Sequence, residues 1–480
     1  MKKTLFFQFI LLGFFLGVAG YFAILFYRIV IGCVLFLLLF YSVKKAKTKV
    51  FFILLFFIFG FGVSAIPDLK VKRADSVSKF YDENKFFTAK VVDVQRSLTG
   101  LKVILQPKDY FGKVLFYEKI TTELIYGDEV NIYCELKKPF SKNINNYYRQ
   151  KQKDGILAVC QKTKIELMKK NQGNLFFKII FSLKDFCQAR LAKIFPLPYS
   201  ALLSGILIGD VRELSAVEMD NFSTAGITHI VAVSGYNVNI IVAFILIMAK
   251  NFGWSRRRVL IFSIFFLIFF CILTGLGASV IRAALMSLVL LLAQVIGKKY
   301  SAINGLLFVA FVMILQNPLI LLFDLGFQLS FLSTYGLLVW SKPIAEKIKF
   351  IPEIFSLREN LAVTFASMIM SAPIIIFSFG RFAIYSPIAN LLVLPFIPLI
   401  MLFGFITLLF SFVFLPLAQI VSLIVFPMLF LVIKSAEIIA NLPKASLLFS
   451  VPFCLLIFYY LFLCFLKNFA KKIPKVQTKV

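Results

Sequence analysis

The residues that could do chemistry in this sequence are few and fall in four apolar stretches. The densest carries Asp210 and Arg212, then His229, Ser234 and Asn237. A second sets Arg282 among small residues, in Gly277-Ala-Ser-Val-Ile-Arg282-Ala-Ala. The third has Asp324 and Gln328, whose i, i+4 spacing puts both on one helix face. The fourth holds Asn390 among Pro387, Pro395 and Pro398. His229 is the chain's 1 histidine. A catalytic zinc generally recruits two or three imidazoles, so no metal is expected, and no other cofactor. His229 and Ser234, five residues apart, are poorly aligned on a helix as base and nucleophile.

Ionisable groups inside apolar segments are costly and mark function by default. Each candidate also has a plainer role. Asp210 and Arg212 could form a loop ion pair, and His229 could be a core histidine bonded to a carbonyl. Arg282 could snorkel outward along its own stem, or pair with Asp324, the arrangement preferred here. The proline-rich run around Asn390 reads as a broken or re-entrant helix, or as a kinked packing helix.

The elements that must position these groups follow from composition. The chain of 480 residues is 60% hydrophobic and 16% aromatic, with 59 Phe and a mean hydropathy of +0.90. That excludes a soluble, disordered or fibrous protein. The 52 Lys+Arg against 23 Asp+Glu give a net charge of +29. Spanning helices need about 20 apolar residues. Three such runs open the chain, Leu5–Tyr27, Ile29–Val43 beyond Arg28, and Val50–Pro67, so 1–67 reads as three N-terminal spans. Basic residues in short loops mark the cytoplasmic side, which puts the N-terminus and Lys44–Lys49 inside and the chain beyond Pro67 outside.

Over 68–172 the apolar runs stop. Short alternating segments, Phe86–Asp93, Lys102–Gln106, Lys113–Glu118, Glu129–Leu136 and Gly155–Gln161, predict five strands and a small barrel of the OB type. This region has 18 Lys and 3 Arg against 13 acidic residues, a net +8. If it lies outside, Cys134 and Cys160 are in an oxidising compartment, and either a disulfide or two unpaired thiols is compatible with the sequence. Residues 173–199 predict an amphipathic helix lying in the membrane interface.

From 200 to 467 further spans are expected near 226–250, 259–275, 278–297, 301–316, 319–340, 361–379, 384–412, 415–440 and 446–466, followed by a basic cytoplasmic tail at 468–480. Basic patches at Arg256–Arg258, Lys298-Lys299, Lys342–Arg358 and after Lys467 all fall inside in this arrangement. The expected architecture is a polytopic α-helical membrane protein of about 12 spans. Both termini are cytoplasmic, and the extracytoplasmic barrel is inserted after the third span.

Several segments together resemble the ComEC competence family, the bacterial membrane channels for DNA uptake. They are Leu203–Arg212, the run Gly226-Ile-Thr-His-Ile-Val-Ala-Val-Ser-Gly235, Ser279–Met286, Phe323–Phe331 and Asn390–Pro395, in the family's order. Residues 68–172 are similar to the family's outer domain, including Lys138-Pro-Phe140 and Tyr147-Tyr148-Arg149. The resemblance implies passage of single-stranded DNA across the cytoplasmic membrane. It also implies a DNA-receptor protein, a cytoplasmic helicase and a separate nuclease as partners, beside membrane lipids and with a homodimer as one mode of assembly. Larger members carry a C-terminal metallo-β-lactamase-like domain; here the last apolar run is soon followed by Lys471-Lys472, and one histidine cannot furnish that metal site. The chain is therefore expected to conduct and not to cut. Where the family often has Leu-His after its Ser-Gly, this chain has Tyr236-Asn237.

In such a channel Tyr147, Tyr148 and Arg149 would form a capture surface with stacking rings and cations. Arg212, His229 and Arg282 would stand at the outer mouth. Two alternatives remain open: a membrane-embedded enzyme acting on a lipid or glycan through His229 with Ser234 or Asp210, and a transporter of another polyanion.

Overall fold

A computed structural model describes residues 3–22, 48–97, 100–118, 124–141, 146–170, 172–231, 233–351, 357–449 and 451–470. Arg28 with the expected second span at 29–43, the basic stretch 44–47, Leu98 and Thr99 of a predicted turn, and the tail 471–480 lie outside the described residues.

Helix α1 (Lys3–Tyr21) packs on α2 (Thr48–Val63) through glycine. A Cβ at Gly17 would lie 2.0 Å from the Phe57 carbonyl oxygen, one at Gly13 2.6 Å from that of Ile53, and one at Gly60 2.3 Å from that of Phe14. Small residues four apart let apolar helices approach this closely, because no side chain separates the backbones. A short helix α3 (Ile66–Val71) follows, with Pro67 in its first turn.

The barrel comprises β1 (Asn84–Ser97), β2 (Gly100–Pro107), β3 (Lys113–Glu118), β4 (Glu129–Lys137) and β5 (Ile156–Lys169), with helix α4 (Tyr147–Gln152) between the last two. All five strands stand where alternation places them, most extending further. The barrel closes in the order β1-β2-β3-β5-β4, β4 pairing back onto β1, and β3–β5 is its parallel pair. Along β4, Val130, Ile132, Cys134 and Leu136 are fully buried, while Asn131, Tyr133 and Glu135 point outward. With Phe87, Val91, Val103, Leu105 and Phe116 they form the barrel core. Each such side chain contributes about 1.5–3 kcal/mol through burial.

Next comes α5 (Leu175–Ala192), capped by Asn174, whose side chain accepts the Phe176 N–H at 2.9 Å. It buries Ile180, Cys187 and Leu191 and exposes the apolar residues Leu175, Phe176, Ile179 and Phe186. The remaining helices are α6 (Tyr199–Ile208), α7 (Ala216–Ala225), α8 (Gly235–Asn251), α9 (Arg256–Leu273), α10 (Ala278–Ile296), α11 (Ala302–Gln316), α12 (Leu325–Lys347), α13 (Leu357–Phe379), α14 (Ser386–Val393), α15 (Ile397–Val413), α16 (Leu415–Ala440) and α17 (Phe453–Ala470). Two short strands, β6 (Arg381–Ala383) and β7 (Ser446–Leu448), pair antiparallel.

Three expected spans are interrupted, each for a local reason. The run 226–250 splits into a helical turn, Thr228–Val231, and α8, because the Ser234 side chain caps a new helix by accepting the Tyr236 N–H at 3.2 Å. The run 319–340 breaks at Asp324, whose carboxylate accepts the Phe327 N–H at 3.1 Å and so starts α12. Asp324 is thus a helix cap and not a mid-helix partner of Gln328. Between α14 and α15 lies a 3₁₀ turn, Leu394–Phe396, where Pro395 lacks an N–H for the α ladder.

Among the described residues, five stretches are long and apolar enough to cross a membrane: Phe52–Val71, Ala278–Ile296, Leu357–Phe379, Ser386–Val413 and Leu415–Ala440. The chain divides into two compact units. One comprises Met1–Ser215, Ala232–Phe331 and Met401–Ile424; the other comprises Ala216–Val231, Leu332–Ile400 and Val425–Val480.

Candidate functional site

Within the first unit, the segments holding Leu203–Arg212, Ser234–Asn237, Arg282 and Phe323–Phe331 meet. Asn237 in α8 is 2% exposed, and its side-chain amide donates to the Ile206 carbonyl in α6 at 3.0 Å. Its Oδ1 accepts the Ser234 hydroxyl at 3.2 Å. The capping serine, the first turn of α8 and the end of α6 are therefore one hydrogen-bonded unit.

Arg282 lies against the same turn. A Cβ at Gly235 would fall 2.5 Å from the Arg282 Nη2 and 3.2 Å from the Ala283 Cβ, so any larger residue there would displace the guanidinium from this position. Arg282 Nε donates to the Ser330 hydroxyl in α12 at 2.6 Å, and the guanidinium carbon stands 5.9 Å from the Phe331 ring centre. The expected Arg282–Asp324 pair does not form. Asp324 accepts instead from Lys153 Nζ at 2.7 Å, because the break before α12 turns its carboxylate toward the loop after α4. Among the described residues no carboxylate lies within ion-pair range of Arg282. Gln328 donates to the Leu321 carbonyl at 2.9 Å and seals that break.

Asp210 and Arg212 form the loop pair that the sequence allowed, and more. Arg212 Nε reaches both Asp210 oxygens, at 2.8 and 3.0 Å, while Nη2 reaches Asp185 at 2.7 Å and Gln188 at 3.0 Å in α5. Burial works to raise the pKa of the Asp210 carboxyl, but the hydrogen bonds and charge of Arg212 overcome it and hold the carboxyl below its ordinary value. This clamp ties α5 to the loop leaving α6.

The Tyr147-Tyr148-Arg149 run is the whole first turn of α4, and the structure gives it a docking role. Arg149 pairs with Asp68, which also accepts the Tyr21 hydroxyl at 3.0 Å. Gln152 donates to the Pro67 carbonyl at 3.3 Å, and Asn317 donates to the Lys153 carbonyl at 2.8 Å. Tyr147 and Tyr148 carry Lys151 and Lys138 over their rings, each at 5.0 Å. The partners Asp68, Lys153 and Asn317 escaped the sequence reading; an Asp directly after Pro67 at the end of an apolar run was the available signal. In the barrel, Cys134 and Cys160 stand on neighbouring strands with Cα atoms 5.5 Å apart and sulfurs within bonding distance.

In the second unit the Ser386 hydroxyl donates to the Gly226 carbonyl at 3.3 Å and accepts from the Asn390 amide at 3.2 Å. Gly226 has φ +75°, and a Cβ there would lie 2.6 Å from the Ser386 Cβ. Asn390 is 5% exposed, and its Oδ1 has no partner among the described residues. His229 lies on the helical turn Thr228–Val231, whose Ile230 and Val231 are buried. Arg381 pairs with Asp220 at 2.7 Å.

A family model described as Competence protein matches residues 206–472, the range that holds nearly all of these segments. ComE operon protein 3 of Bacillus subtilis (strain 168) is 28% identical over 223 residues, which are 46% of this chain and 28% of that relative. The chain thus matches less than a third of the relative's length. No solved structure matches the chain. With a family match over more than half its length, this chain belongs to the ComEC competence protein family.

Proposed function

We propose that this chain is the membrane channel through which single-stranded DNA crosses the cytoplasmic membrane in natural transformation. The observation that carries the reading is Arg282, a cation held where α8, α10 and α12 meet inside the range matched by the family, with no carboxylate among the described residues to neutralise it. Such a charge in an apolar bundle is costly, and a passing phosphate would offset that cost. The enzymatic alternative is weakened because the Ser234 hydroxyl is already engaged, accepting the Tyr236 N–H and donating to Asn237.

In this reading the bundle has about twelve spans with both termini cytoplasmic. The barrel, whose closed β1-β2-β3-β5-β4 order suits an OB-type domain, faces outward. Cys134 and Cys160 form a disulfide in that oxidising space. Helix α5 lies in the membrane interface, and a DNA receptor, a helicase and a separate nuclease act with the channel, alone or as a homodimer.

The test is complementation. In a strain lacking the gene, labelled DNA is followed separately at the cell surface and in the cytoplasm. The wild-type gene restores internalisation; Arg282→Gln lowers it about tenfold or more with surface binding intact, and Arg282→Lys keeps part of it. Full internalisation without the gene overturns the proposal.

A further inference from the structure

We infer that the outer face of strands β1, β4 and β5 is a stacking platform for unpaired bases, with Phe86 and Tyr133 as its rings and Lys164 as its phosphate contact. The strand register puts these residues in one row: Phe86 pairs with Tyr133 across β1–β4, and Tyr133 pairs with Lys164 across β4–β5. Side chains alternate in and out along a strand, so three residues in register on the outward face share one surface. Phe86 is 63% exposed and Tyr133 is 44% exposed. Neither ring packs on another aromatic ring among the described residues, and each keeps a large exposed area that a ligand could cover. On the opposite side of the same strands the alternation buries Phe87 and Cys134, so these aromatics are not core residues turned aside.

The surroundings decide the occupant. The next row along is polar, with the Thr88 hydroxyl donating to Asn131 Oδ1 at 2.8 Å, and beyond the rings Glu135 is neutralised by Lys137 and by Lys162 at 2.5 and 3.2 Å. Such rows oppose insertion into lipid. Lys164 is exposed and makes no ion pair among the described residues, which leaves its ammonium available to an anion. Glu166, in register with Asn131, and Glu129, paired with Lys108, are the other acidic residues along these rows and lie on the side of the rings away from Glu135. Two exposed rings bordered by cations suit a chain that alternates flat bases with phosphates, and stacking of this kind is tolerant of sequence. The inference rests on the single-stranded DNA reading above but places capture on the sheet face, away from the Tyr147–Arg149 turn that docks the barrel.

The experiment uses the purified full chain in lipid nanodiscs, binding a labelled oligothymidylate and an abasic phosphodiester strand of equal length. The wild type should prefer the thymidylate. Phe86→Ala or Tyr133→Ala should weaken thymidylate binding about tenfold and leave the abasic strand unchanged. Phe86→Leu, which keeps apolar bulk without a π face, should behave like the alanine variant, whereas Phe86→Tyr and Tyr133→Phe should bind as wild type. Lys164→Gln should lower the slope of log affinity against log salt by about one. Unchanged thymidylate binding in the double alanine variant overturns the platform while the channel reading stands. Absence of binding to either strand by the wild type overturns the barrel's role in that reading, and the platform with it.

Discussion

At the scale of single residues, Arg212 and Gly235 do most to hold the candidate site together. Asp210 is 2% exposed and depends chiefly on Arg212 for its charge, with Lys184 a lesser cation, whereas Arg212 has Asp185 and Gln188 as well. The two substitutions should therefore differ. Arg212→Ala leaves a buried carboxylate with only Lys184 and one backbone N–H to balance it and should cost about 2–3 kcal/mol, while Asp210→Asn should cost less. Thermal unfolding of the purified variants checks the order. Because the Asp210 carboxyl is held below its ordinary value, its contribution is present above the usual carboxylate range and is lost as pH falls below about 4. Wild-type stability should fall in that window more steeply than that of Asp210→Asn. Gly235→Ala would push the Arg282 guanidinium off the first turn of α8, so it should lower DNA internalisation as Arg282→Gln does.

At the scale of elements, the short helix α4 and the loop after it fasten the barrel to the helices through Asp68, Pro67, Asn317 and Asp324. Lys153→Glu should release this attachment and speed hydrogen exchange in α4, and the paired change Lys153→Glu with Asp324→Lys should restore protection. Because Asp324 also caps α12, exchange in α12 is followed in the same samples, and no restoration in α4 while α12 stays protected would mean that the Lys153–Asp324 contact does not hold the two parts together. The α1–α2 contact depends on closeness instead of charge. Gly17→Leu cannot fit where a Cβ would already sit 2.0 Å from a carbonyl oxygen, so this pair of helices should separate. Loss of a cysteine cross-link engineered between them would report it.

At the scale of the whole molecule, the proposed orientation makes a prediction by side. In a background without other free cysteines, a cysteine placed at Lys138 in the barrel should react with a membrane-impermeant thiol reagent on intact cells. One placed at Lys299, after α10, should react only once the membrane is opened. Reversed labelling would invert the topology. Mass mapping under non-reducing conditions should recover the Cys134 and Cys160 peptides joined, in line with their 5.5 Å Cα separation.

Membrane character and the position of the barrel strands were legible along the chain. Each rests on periodicity or on run length, which are properties of consecutive residues. The helix breaks at Ser234 and Asp324 were not, because a capping side chain declares itself only when the competing spanning run loses to a local hydrogen bond. Partner choice was less legible still. Arg282 and Asp324 looked complementary in type, yet one bonds Ser330 and the other Lys153. Tyr147, Tyr148 and Arg149 read as a surface for DNA, yet Arg149 is bound to Asp68, while Phe86 and Tyr133 become a row only through pairing of strands far apart in sequence. The sequence by itself determined which residues are costly to bury and roughly which elements hold them. Only the tertiary structure decided which of them meet, because direction and distance between elements depend on packing and register that no local pattern contains.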